Sequence, residues 1–140
     1  MLFTREQIVF IHSRRVAYLS TVDDAGLPHV VPVCFAIDGG CLYSPIDQKP
    51  KRTQNLKRLR NIRANPHVSL LLDRYEDDWS ALGWVLVRGT ARISYGGDNH
   101  WHAVALLRQR YVQYLEMALE RLPVICIDVQ HVTSWGNLMP

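Results

Sequence analysis

A short stretch of this sequence concentrates the groups best suited to holding an anion: Lys49-Pro50-Lys51-Arg52-Thr53-Gln54-Asn55. From Lys49 to Arg63 the chain carries seven of its sixteen Lys and Arg residues. Leu56, Leu59 and Ile62 then recur at helical spacing until Asn65-Pro66, which predicts a helix with Thr53 as its N-cap directly after a strand. A phosphate at such a junction meets unpaired backbone N–H groups, here those of Gln54 and Asn55, and the positive end of a helix dipole. Lys49, Lys51 and Arg52 would add full charges and Thr53 a hydroxyl. Arginine can grip two phosphate oxygens at once, whereas lysine acts as a point charge. The same composition also suits a solvated basic face, and at this level both readings stand.

Little else is spaced for chemistry. There are no paired catalytic carboxylates, no nucleophile triad and no G-x-G-x-x-G. His100 and His102 are the one close histidine pair, but residues two apart on a helix point in different directions, so no metal site is expected. His29 and His67 fall in strand-like segments and read as structural. Cys34, Cys41 and Cys126 are odd in number, widely spaced and flanked by apolar residues, the pattern of buried reduced thiols. A net charge of +3 is mild for a nucleic-acid partner, and the basic helix lacks interleaved aromatics. The first seven residues carry charge where a signal peptide needs an apolar run, and no stretch approaches the roughly 18 apolar residues of a membrane span. We therefore expect a cytoplasmic chain that binds neither membrane nor nucleic acid, and one domain over residues 1–140.

The elements that must position the basic segment are legible from periodicity. Thr4 with Gln7 forms a capping-box pattern opening a helix to about Ser13. Val16 to Thr21 and His29 to Ile37 read as an antiparallel hairpin turning at Asp23-Asp24-Ala25-Gly26, with Pro32 marking an edge or a bulge. Cys41 to Ser44, His67 to Asp73, Gly83 to Tyr95 with a bulge near Gly89, and Val124 to Val129 complete six strands. A helix from about His100 to Leu122 should carry an apolar stripe of Val104, Leu107, Tyr111 and Leu115. Six mostly antiparallel strands with helices between them favour a closed or partly closed barrel, mainly β with flanking helices.

Taken in order, Val16 to Asp23, Gly26-Leu27-Pro28-His29-Val30-Val31-Pro32-Val33, Lys49-Pro50-Lys51-Arg52, Asn65-Pro66-His67-Val68-Ser69-Leu70 and Asp77-Asp78-Trp79 resemble the pyridoxamine 5′-phosphate oxidase-like proteins. Within them the chain looks most like a subgroup of deazaflavin enzymes that use coenzyme F420. The resemblance runs from about Thr4 to Trp135. It implies a six-stranded split β-barrel that binds FMN or a deazaflavin, assembled as a homodimer with cofactor sites in the grooves between subunits.

Carried onto this sequence, the resemblance implies a phosphate held by Lys49, Lys51, Arg52 and Thr53, with Asn55 beside them. Val31, Pro32 and Val33 would lie along the ring, and the partner's Trp79, Leu82 and Trp84 would form another wall, although core packing suits these three as well. Trp135 would fold over the site or sit at the surface or dimer interface. The implied activity is hydride transfer from F420 to a small unsaturated molecule, with Tyr43 and Ser44 as candidate proton sources. FMN is the alternative cofactor, and a non-catalytic flavin or haem module the alternative function. Oxidation of pyridoxamine phosphate itself is not expected, because the chain is shorter than those oxidases and its cations are arranged as Lys-Pro-Lys-Arg.

Overall fold

In the computed structural model, residues 2–46 and 56–140 are described. Helix α1 (Arg5–Ser13) is followed by strands β1 (Ala17–Val22), β2 (Pro28–Val33), β3 (Ala36–Asp38) and β4 (Cys41–Pro45). Helix α2 (Lys57–Ala64), strands β5 (His67–Arg74) and β6 (Gly83–Ser94), helix α3 (Asp98–Arg110) and strand β7 (Val124–Gly136) complete the chain. The strands form one antiparallel sheet in the order β2-β1-β5-β6-β7-β4-β3.

The two outermost strands, β2 and β3, are joined by only Cys34 and Phe35. Two residues bridge at most about 11 Å between their neighbours, so the sheet must curl until its edges nearly meet. A split barrel results. The second strand expected from sequence is thereby divided, which makes seven strands of the six anticipated. The division is held from afar: the Phe35 backbone N–H donates to Tyr111 Oη at 3.1 Å, and that hydroxyl donates to the Arg15 carbonyl at 2.8 Å.

Alternation decides what fills the barrel. Ala17, Leu19 and Thr21 of β1, Val68, Leu70 and Leu72 of β5, and Val85 and Val87 of β6 face inward. Helices close the two ends. At one, Phe10 and Ile11 of α1 are fully buried, and the Thr4–Gln7 capping box forms as expected, with Gln7 also donating to Ser134 Oγ at 3.0 Å. At the other, α2 buries Leu59 and Ile62 and its Asn61 donates to Thr21 Oγ1 at 3.0 Å. Asn65 ends α2 as the sequence predicts.

A second apolar cluster lies outside the barrel wall, where Val104, Leu107 and Tyr111 pack on Ala36, Tyr43, Val124 and Cys126. This part of β4 and β7 is covered on both faces, which accounts for the unbroken apolar run Val124-Ile125-Cys126-Ile127. Strand β7 continues to Gly136, seven residues beyond the expected end, because β6 offers it a pairing partner along its whole length.

Helix α3 stops at Arg110, twelve residues short of expectation, and two 3-10 turns follow (Val112–Glu116 and Leu119–Arg121). Tyr111 turns extended to reach Arg15 and Phe35, so Leu115 leaves the apolar stripe and is 60% exposed. Arg108 ties the irregular stretch together. It donates to the carbonyls of Tyr114 and Met117 and grips both Glu120 oxygens at 2.6 and 2.7 Å. That grip lowers the Glu120 carboxyl from 4.5 to about 2. Its contribution to stability is complete above about pH 4.5 and lost as pH falls toward 2. Glu120→Gln is therefore expected to flatten the fall in Tm between those values; an unchanged profile in a pH series of melts would assign the acid sensitivity elsewhere.

The bulge expected near Gly89 is present, with Gln130 of β7 as the extra residue between the pairs Arg88–His131 and Gly89–Val129. A Cβ on Gly89 would overlap the Asp128 carbonyl oxygen, which is backbone and cannot swing away. Gly89→Ala is expected to cost about 3 kcal/mol and roughly 10 °C in Tm, measured by thermal melting.

Candidate functional site

Lys49, Lys51, Arg52, Thr53 and Asn55 lie outside the described residues, together with Gln48, Pro50 and Gln54. The flanks of the segment are well defined. Ile46 is buried and its N–H donates to the Pro123 carbonyl at 2.9 Å. On the far side Leu56 is the N-cap of α2, without a side-chain cap, so the described helix opens three residues after Thr53. Cations of α2 already have partners on the barrel. Lys57 Nζ lies 3.4 Å from Asp23 Oδ2, and Arg63 donates to Tyr95 Oη. Backbone N–H donation from Leu27, then from Ala25, with Lys57 adding to it, holds the Asp23 carboxyl below its usual range.

Near this end Ser44 Oγ, five residues before Lys49, and His29 Nδ1 on β2 are buried and have no hydrogen-bond partner among the described residues. An unsatisfied buried hydroxyl costs about 1–3 kcal/mol, so such atoms mark places where a ligand or water is accommodated. From sequence His29 reads as a satisfied structural residue; its orphaned nitrogen has no local signal.

The ring-contact candidates divide between the faces of the sheet. Val31 and Val33 turn toward the barrel core, while Pro32 points outward. On that outer face the register aligns Pro32, Tyr18, Leu71, Leu86 and Thr133 across five strands. The next row is Asp73, Trp84 and Trp135. Tyr18, Val30, Leu71 and Trp135 are all exposed, and no helix among the described residues covers them. One half of the barrel exterior is thus sealed by α3; the other is bare, with an apolar stripe beside the polar row Ser20, Ser69, Arg88 and His131, and is bordered by the free edge of β2, where alternate backbone groups lack a sheet partner.

Pro32 and Trp84 share this bare face, yet β2 and β6 are three strand spacings apart, about 14 Å. They do not meet within one chain. Trp79 sits on a single 3-10 turn (Trp79–Ala81) capped by Asp78, is 71% exposed, and its Nε1–H donates to Tyr75 Oη at 3.5 Å. Alternation along β5 and β6 could have revealed Leu71 and Leu86 as outward residues. That several strands contribute to one apolar surface is a property of register.

Tyr43 is buried beneath α3, donates to Asn99 Oδ1 at 3.2 Å, and burial first of all pushes its phenol up to about 12. It is a poor proton source near neutral pH. Of the close histidines, His100 is fully buried with Nδ1 3.1 Å from Ser94 Oγ, whereas His102 Nε2 meets Asp38 Oδ2 at 2.6 Å on the surface. The two do not converge. Among the described residues no group of three or more His, Cys, Asp or Glu is placed to hold a metal ion, and no helix is long and apolar enough to cross a membrane.

Solved structures share this architecture. A conserved hypothetical protein, Rv2991, from Mycobacterium tuberculosis aligns with a TM-score of 0.77 and 20% identity, over 97% of this chain and 86% of its own. The haem storage protein HutZ from Vibrio cholerae aligns with a TM-score of 0.72 and 18% identity, over 97% and 95%. A haem-binding protein from Mycobacterium smegmatis aligns with a TM-score of 0.77 and 21% identity, over 94% and 53%. At these identities the likeness establishes the fold alone. No curated protein matches the sequence. A family model, however, does: that of pyridoxamine 5′-phosphate oxidase matches from Phe3, the first buried of the described residues, to Gly136, the last of β7. A match spanning the entire barrel, on a chain whose sheet curls as a split barrel must, means that this protein belongs to the pyridoxamine 5′-phosphate oxidase family.

Proposed function

We propose that the protein is an oxidoreductase that binds the deazaflavin coenzyme F420 in a groove between two copies of the chain and passes a hydride to a small unsaturated substrate. The observation that carries this reading is the exposed apolar stripe on the bare half of the barrel, bordered by the free edge of β2 and followed later in the sequence by the cationic segment. An exposed surface of this kind marks an interaction site. A second copy related by a two-fold axis covers it with an identical surface.

Such an arrangement brings the partner's Trp79 or Trp84 toward Pro32, which a single chain cannot do. Lys49, Lys51, Arg52 and Thr53 are assigned to the phosphate, with Asn55 and Ser44 Oγ beside them, and the β2 edge offers backbone groups to the polar rim of the ring. The cofactor supplies the hydride chemistry; the chain binds, orients and excludes water.

The second reading keeps this groove and takes FMN. The engagement of Lys57 with Asp23 and of Arg63 with Tyr95 favours it, since a single phosphate needs fewer free cations than an anionic tail. Separate fluorescence titrations with FMN and with the deazaflavin distinguish the two. Tight binding of the deazaflavin alone supports a deazaflavin-dependent reductase, and preference for FMN moves the assignment to a flavin reductase or carrier. Uptake of neither, with binding of haem, overturns the oxidoreductase reading in favour of a haem-binding module.

A further inference from the structure

Arg15 stands between two cavities at the α1 end of the barrel. One, of about 330 Å³, is lined by His12, Arg15, Gln109 and Arg110 over apolar Ala36, Ile37 and Leu106. The other, of about 360 Å³, places Val16, Cys34, Tyr114 and Met117 on the far side of Arg15. Neither is lined by an acidic residue, and among the described residues no ion pair engages Arg15 or Arg110.

The charge balance here is positive. Helices α1 and α3 both end at this point, and each C-terminus contributes about half a negative charge. Together they offset about one of the two guanidinium charges. Arg110 meets the end of α1, donating to the carbonyls of His12 and Arg14, and also donates to Tyr111 Oη. Arg15 meets the end of α3 through one N–H, which donates to the Arg110 carbonyl at 2.7 Å, and its guanidinium lies 4.6 Å from the centre of the Tyr111 ring. Among the described residues the rest of its fork of five donors meets no acceptor and is available to a ligand. His12 registers the same field, since burial and then Arg110 lower its pKa.

We propose that the two cavities form one binding site for a small organic acid, with its anionic head on the edge of Arg15 beside His12 and Gln109, and its apolar body among Val16, Cys34 and Met117. Each half is near the lower limit of ligand pockets, about 300 Å³, so a ligand spanning both carries a small anionic head on one side of Arg15 and a short chain or single ring on the other. The site is independent of the cofactor reading and uses none of its residues.

Calorimetry with hexanoate, hexanol and inorganic phosphate tests the two halves, and the His12 ring signals in NMR give a second readout. Hexanoate is expected to bind at least about tenfold more tightly than either hexanol or phosphate, because only it fills both halves. It should also raise the His12 pKa by offsetting the field of Arg110. Gln109→Glu, at an exposed position on the rim, should weaken hexanoate at least about tenfold with Tm and flavin or deazaflavin binding unchanged. Arg15→Gln should weaken it likewise. Phosphate equal to hexanoate would remove the apolar half from the site, and hexanol equal to hexanoate would remove the anionic half. Either outcome overturns the proposal, as does absence of hexanoate binding or its persistence in both variants.

Discussion

Replacing Lys51 and Arg52 together with alanine is expected to weaken binding of the phosphate-bearing cofactor by about 3–6 kcal/mol, a hundredfold to ten-thousandfold loss in affinity. Each side chain would give up a charge-assisted bond worth about 1.5–3 kcal/mol. The two residues lie between Ile46, which is anchored to Pro123, and Leu56, which opens α2, so both ends of the segment are secured by groups the substitution does not touch. Tm should therefore hold while affinity falls. Fluorescence titration of the double variant beside a thermal melt separates the two effects. Unchanged affinity would move the phosphate site away from this segment, and a collapsed Tm would show that the cations serve the fold.

The second large effect is expected from Leu71→Arg. Leu71 lies in the middle of the bare face, with Tyr18 on one side and Leu86 on the other, and is already 40% exposed in the single chain. An arginine there can extend into water, so the isolated fold should tolerate it with little change in stability. In a two-fold interface the substitution occurs twice. Burying one uncompensated charge costs about 3–5 kcal/mol, so the pair costs about 6–10 kcal/mol and should leave the protein monomeric at micromolar concentration. Sedimentation measures that directly. Cofactor binding should be lost with the dimer. A monomeric Leu71→Arg variant that still binds its cofactor would sink the intersubunit groove, and a variant that remains a dimer would place the interface on another surface.

Both experiments address a face that is invisible to periodicity alone. Alternation in β1, β5 and β6 identifies which residues point out of the barrel, but it does not say whether a helix covers them. The α3 helix decides that, by packing on β4 and the first half of β7 and leaving the remainder open. Likewise the cationic segment is recognisable by composition, whereas the partners of Lys57 and Arg63 are contributed by Asp23 and Tyr95, each more than thirty residues distant.

The features the sequence determined by itself are those whose physics is local. The Thr4–Gln7 capping box, the stop at Asn65-Pro66, the Asp23–Gly26 turn and the strand from Val16 to Thr21 each depend on residues within a few positions of one another. What only tertiary structure decided depends on partners far along the chain. Tyr111 leaves its helix because Arg15 and Phe35 offer its hydroxyl an acceptor and a donor, and the same contact holds the break in the second expected strand. Strand β7 outruns its apolar pattern because β6 pairs with it to the end. A hydrogen bond between distant residues is worth as much as one between neighbours, but propensity and period do not record it.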